Sequence, residues 1–215
     1  MASVSRFRTT LWTHLQAAGS GKSQAQNAFV GRYRAPLLGF LRGRGLEVHE
    51  AEDVAQDVFL RLFQRDLLRS ADANKGRFRN YLLGITLRVL SETRRRQRAE
   101  KRGGDWERVP LDAAPPPAVS AEFETLWLRE LVRRALEEVL AKAPAQHKLL
   151  ALASEGLSPS EIATQTERSP GATRVALHRA RKRLAEAIRA EVARYCSSEE
   201  EFAEEMKVFS GYLGE

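Results

Sequence analysis

The 215-residue chain predicts an all-α protein: two small helical domains joined by a flexible proline-rich linker, the second ending in a helix-turn-helix. Three observations predict this. Apolar residues recur at helical spacing along the chain, with no sustained alternation to signal a strand. The stretch Leu111-Asp-Ala-Ala-Pro-Pro-Pro117 interrupts that pattern and reads as a linker. Finally, Ser158-Pro159-Ser160-Glu161 and Ser169-Pro170 are two helix starts close together, the first a capping box with proline at the first helical position.

Residues 1–25 form an N-terminal extension, in which Leu11, Trp12 and Leu15 mark an amphipathic helix over about 9–18, ended by Gly19-Ser20-Gly21. Residues 26–98 form the first domain, with helices expected near 26–42, 50–65 and 77–98. Arg42-Gly43-Arg44-Gly45 and Lys75-Gly76 mark its turns. In the second helix Ala51, Val54, Val58 and Leu62 build the buried stripe, while Asp53, Gln56, Asp57 and Leu60 share the other side. An exposed leucine among acids and an amide suits a protein-docking face. In the third helix Phe78, Leu82, Ile85 and Val89 pack inward. Arg77, Arg79, Asn80, Tyr81 and Arg88 interleave basic, amide and aromatic groups, a mixture suited to single-stranded DNA.

The linker is expected over 99–121 and the second domain over 122–195, with helices near 122–142 and 145–155 before the helix-turn-helix. There a two-turn helix from Pro159 to Thr166 precedes a long basic one from Pro170. Leu177, Ala180, Leu184 and Ile188 form the inward stripe of the long helix. Arg174, Val175, His178, Arg179 and Lys182 lie opposite, where side chains reach base edges and phosphates of duplex DNA. Residues 196–215 are an acidic tail: Ser197–Glu215 holds six acids and one lysine. Phe202, Met206, Phe209 and Tyr212 allow an amphipathic helix that folds back on the chain; a disordered solubilising tail is the alternative.

Net charge is +7, and the acidic tail accounts for −5 of it, which leaves +12 on residues 1–196. This balance favours nucleic acid as partner. Cys196 is the only cysteine, so neither an intrachain disulfide nor a zinc ribbon can form. No apolar run is long enough to span a bilayer and the N-terminus lacks a signal-peptide core, so a cytoplasmic location without membrane contact is expected. Nothing points to an enzyme, cofactor, metal or small-molecule substrate. His14, His49, His147 and His178 are scattered, no phosphate-cradling glycine loop is present, and Glu52, Asp53 and Asp57 lie on one helix without partner acids.

On these residues the chain resembles the extracytoplasmic-function (ECF) sigma factors of bacterial RNA polymerase, over about 28–98 (their region two) and 126–195 (their region four). Phe29, Tyr33, Pro36-Leu37 and Phe40-Leu41 resemble the opening helix of region two. Ala51-Glu52-Asp53, Gln56-Asp57 and Phe59-Leu60-Arg61 are similar to the polymerase-docking helix, and Gly76 to Leu82 to the promoter-melting segment. Leu157-Ser-Pro-Ser-Glu-Ile-Ala163 and Ser169 to Leu184 resemble the pair of helices that reads the minus-thirty-five element.

The resemblance implies core polymerase binding through Asp53, Gln56, Asp57 and Leu60. It implies minus-ten DNA binding through Arg77, Arg79, Asn80, Tyr81 and Arg88, and minus-thirty-five binding through Arg174, Val175, His178, Arg179 and Lys182. Partners would be core RNA polymerase, promoter DNA and an anti-sigma factor. The chain departs from the family pattern at Tyr81, usually Trp, and at Arg88 and Glu92, usually Asn and Asp; base preference at minus ten therefore does not carry over. A helix-turn-helix regulator that binds duplex DNA without polymerase is the competing reading.

Overall fold

The computed structural model describes residues 23–64, 78–100, 117–194, 196 and 199–213; the N-terminal helix, Arg77 and linker residues 101–116 lie outside them. Eight helices and no strand occur among the described residues. They fall into two compact units, one reaching Trp127 and the other beginning at Leu128.

The first unit contains α1 (Ser23–Gly43), α2 (Val48–Gln64), α3 (Phe78–Glu100) and the beginning of α4 (Pro117–Lys142). Its core is aromatic at one end. The Phe29 ring lies 4.9 Å from Tyr33, 5.6 Å from Phe78 and 6.2 Å from Phe59, mostly edge to face, the arrangement that ring quadrupoles favour. Ala51, Val54, Val58 and Leu62 of α2 are buried, as are Phe78, Leu82, Ile85 and Val89 of α3, so both expected stripes form. Helix α4 starts at Pro117, five residues before its expected first turn. Proline is tolerated there because the first-turn N–H it lacks would have no partner inside the helix. Phe123 then packs edge-on against Phe40, with ring centroids 5.7 Å apart.

The second unit contains the rest of α4, α5 (Pro144–Ser154), α6 (Pro159–Gln165), α7 (Pro170–Ala193) and α8 (Glu199–Leu213). Leu149 of α5, Ile162 of α6 and Leu177 of α7 form its centre, with Leu152 and Leu157 packed around them. The acidic tail is helical as α8 and packs on α7; Phe209 and Glu205 are buried and Met206 half-buried.

Three helices end in the same way. Beyond α1, α5 and α6 a residue with positive φ lets one N–H reach back three residues and the next reach back five, which satisfies carbonyls the helix leaves open. Gly45 and Gly156 take this conformation without strain, but Glu167 takes it at φ 53. A side chain there costs about 1–2 kcal/mol, offset in part because glycine gains freedom in the unfolded chain. Glu167→Gly is therefore expected to stabilise the second unit by about 0.5–1 kcal/mol, read as a raised urea midpoint; a lowered midpoint would contradict strain at this bend.

Candidate nucleic-acid interface

The bend between α6 and α7 is held by its caps. Ser158 Oγ accepts from Glu161 N at 3.3 Å, and Glu161 Oε2 accepts from Ser158 N at 2.7 Å, which closes the capping box. These hydrogen bonds hold the Glu161 carboxyl below the usual carboxylate range. Ser169 Oγ accepts from Ala172 N at 3.2 Å, and Thr173, buried in the first turn of α7, donates to Ser169 O at 3.1 Å. The first turn of α7 is thus fixed from both sides before any ligand arrives.

Burial along α7 orients the remaining side chains. Leu177, Ala180 and Ile188 are buried and Leu184 half-buried, which turns Arg174, Val175, His178, Arg179 and Lys182 to solvent. Val175 is 52% exposed, so an apolar surface sits among cations. Among the described residues no acid pairs with Arg174, Arg179 or Lys182, although such pairs are common elsewhere in this unit. Glu130, for example, is buried and accepts from both Arg133 and Arg134. Burial pushes the Glu130 carboxyl up, but those hydrogen bonds and charges outweigh it and hold its pKa low. The cationic face of α7 keeps its full charge for an anionic partner.

On α3 the expected DNA-facing residues separate into two groups. Asn80, Tyr81 and Arg88 are partly exposed. Arg79 does not face solvent; it is only 6% exposed. Its Nε donates to Glu124 Oε2 at 2.9 Å, its Nη2 bonds Glu124 Oε1, and the guanidinium lies 4.4 Å from the Trp127 ring centroid. A guanidinium buried this way needs both its carboxylate and its aromatic face. Neither partner is visible from the sequence around position 79, because both lie on α4, more than forty residues away.

A second pair of charges joins α2 to α3. Glu92 accepts from Arg61 Nη1 at 2.6 Å and from Arg88 Nε at 3.0 Å. Burial works to raise the Glu92 carboxyl, but the two arginines outweigh it and hold its pKa below the ordinary value. Arg61 also approaches Asp57, at 3.9 Å. Sequence reading singled out Arg88 and Asp57 but not the Arg61–Glu92 link between them.

Helix α2 turns Asp53, Gln56 and Leu60 outward, with Asp57 half-exposed. They follow one another at helical spacing and form one continuous face. Leu60, at its C-terminal end, is 43% exposed. No described helix is long and apolar enough to cross a membrane.

A capped short helix thus precedes a basic helix, and a separate helix carries an exposed leucine among acids. The family model for ECF sigma factors matches residues 13–190, most of the chain. The chain belongs to the ECF sigma factor family, transcription initiation factors rather than enzymes.

Proposed function

We propose that the chain docks on core RNA polymerase through Asp53, Gln56, Asp57 and Leu60, and directs it to promoters with two DNA readers. Arg174, Val175, His178, Arg179 and Lys182 read the duplex minus-thirty-five element, and the α3 segment around Asn80, Tyr81 and Arg88 binds the minus-ten strand. Arg79 has a packing role instead. The observation that carries the reading is the α7 face: five exposed residues, three of them cations that form no ion pair among the described residues, on a helix whose first turn is fixed by caps. Arginines there can donate bidentately to guanine, and Val175 can meet a thymine methyl. Two weak readers on one chain gain by effective concentration, since engaging one confines the other near its target. The factor works in the cytoplasm beside polymerase, and an anti-sigma protein that covers the α2 or α7 face would silence it.

In vitro transcription on promoter fragments, with purified core polymerase and with or without the chain, tests this reading. Promoter-specific transcripts are expected only when both are present. The Arg174→Ala, Arg179→Ala variant is expected to lose about tenfold or more in promoter affinity, at about 1–3 kcal/mol per base contact, with core binding intact. Unchanged initiation by that variant would remove the minus-thirty-five assignment. Tight duplex binding by the chain alone, without affinity for core, would favour a stand-alone regulator.

A further inference from the structure

Helix α8 lies beyond residues 13–190, so the family match leaves it without a role. Its anchoring is apolar. Phe209 is buried, Phe202, Met206 and Val208 are half-buried, and the helix packs on α7, which carries the duplex-reading face. Phe202, Met206 and Phe209 recur four and three residues apart and so share one side, while Glu199, Glu200, Glu204 and Lys207 are exposed. Acids in a first turn stabilise a helix through its macrodipole, which accounts for Glu199 and Glu200; Glu204 falls outside that turn.

The two helices carry opposite charges of equal size. Helix α7 has six cations against two acids, a net +4, and α8 has five acids against one lysine, a net −4. Beyond the cations assigned to base edges and phosphates, Arg181, Arg183 and Arg189 are also exposed on α7. They continue the basic series towards Ala193, the end of α7, and α8 begins six residues later. Along the axis Arg189 is about 6 Å from that end and Lys182 about 16 Å. Charges are screened over about 10 Å at 0.1 M salt and about 30 Å at 0.01 M. Acids held on α7 therefore act on its nearer cations at moderate salt, and on the reading face itself at low salt. A duplex seated by base contacts at Arg174 and Val175 meets α8 least. A duplex held by its phosphates alone samples the whole basic length of α7 and meets α8 most.

We propose that α8 is an autoinhibitory helix: anchored on α7, its acids weaken the binding of duplex DNA held by charge alone, and so sharpen the preference for the promoter element. The proposal rests on α7 as the duplex reader.

Fluorescence anisotropy of a labelled random-sequence duplex with the free full chain tests it, at about 50 mM and about 300 mM salt. Removing residues 197–215 is expected to raise affinity for this duplex about tenfold at the lower salt and less than about twofold at the higher. Glu199→Gln with Glu204→Gln should give about a threefold rise at the lower salt with an unchanged thermal midpoint, because both side chains are exposed; this separates charge from loss of fold. Glu47→Gln with Glu50→Gln changes net charge by the same amount at the start of α2 and should raise affinity by less than half as much. Phe209→Ala retains every acid but removes the anchor, and is expected to raise affinity as well; a fall would mean a loose tail that competes with DNA, and would overturn the anchored helix. In the core-bound form, with a promoter fragment competing against the random duplex, the truncated chain should lose about threefold or more in promoter preference. Unchanged random-duplex affinity in both the truncated chain and the Glu199, Glu204 variant, or a rise matched by the Glu47, Glu50 variant, overturns the proposal. Arg174→Ala with Arg179→Ala tells the two failures apart. If it leaves duplex binding intact, α7 is not the reader; if it weakens binding while the α8 variants change nothing, the autoinhibition alone falls.

Discussion

Glu124→Ala is expected to cost about 3–5 kcal/mol of stability, because it leaves the Arg79 guanidinium buried without its carboxylate. The Trp127 face offers some attraction to the guanidinium, but an aromatic ring does not replace two charge-assisted hydrogen bonds. Arg79→Ala should cost a similar amount from the other side. A paired replacement, Arg79→Met with Glu124→Leu, is expected to be close to neutral, since replacing both charges by apolar groups of similar size also removes the cost of desolvating them. Urea denaturation of the four proteins, arranged as a double-mutant cycle, gives the coupling directly. Single variants within about 1 kcal/mol of the parent would mean that the pair opens readily, and Arg79 would return as a candidate for the DNA strand. The same cycle gives Arg79 its role, because a DNA-contacting arginine would lose affinity and leave the midpoint where it was.

How much of this was legible in the sequence depends on how local each signal is. The apolar stripes of α2 and α3 and the caps at Ser158 and Ser169 need only residues within one or two helical turns, and they appear where the spacing puts them. The outward face of α7 follows from the same periodicity. Failures occur where a residue's partner is distant in sequence. Arg79 shares a basic, aromatic segment with Tyr81 and has the same composition as a strand-binding residue. Only the approach of Glu124 and Trp127 turns it inward. Glu92 is similar: its i,i+4 pairing with Arg88 could be read from spacing, but the stronger restraint from Arg61 crosses from α2. Pro117 misled for a different reason. A run of prolines excludes helix at all but its last residue, and that last proline can begin one. In the tail, Phe202, Met206 and Phe209 recur at helical spacing, but whether they order depends on an apolar surface to receive them; α7 supplies it.

Leu60 and Leu62 are the same residue type two positions apart on α2, and they should fail in opposite ways. Leu62 is fully buried, so Leu62→Ala leaves a cavity and is expected to cost about 2–5 kcal/mol of stability. Leu60 is 43% exposed, so truncating it removes little from the core and should move the midpoint by less than about 0.5 kcal/mol. Its effect should appear on polymerase instead. An exposed apolar side chain one turn beyond Gln56 and Asp57, on the face that also carries Asp53, can be desolvated by a partner while the polar groups meet its rim. Leu60→Ala combined with Asp53→Ala is therefore expected to weaken binding to core polymerase by about 2 kcal/mol or more, roughly thirtyfold, while helical content stays unchanged. Steady-state binding of labelled chain to core, at two salt concentrations, separates the two contributions. The Asp53 part should shrink as salt rises and the Leu60 part should not, because screening acts on charge and leaves apolar burial intact. A double variant that binds core like the parent, with its fold intact, would move the docking face away from α2.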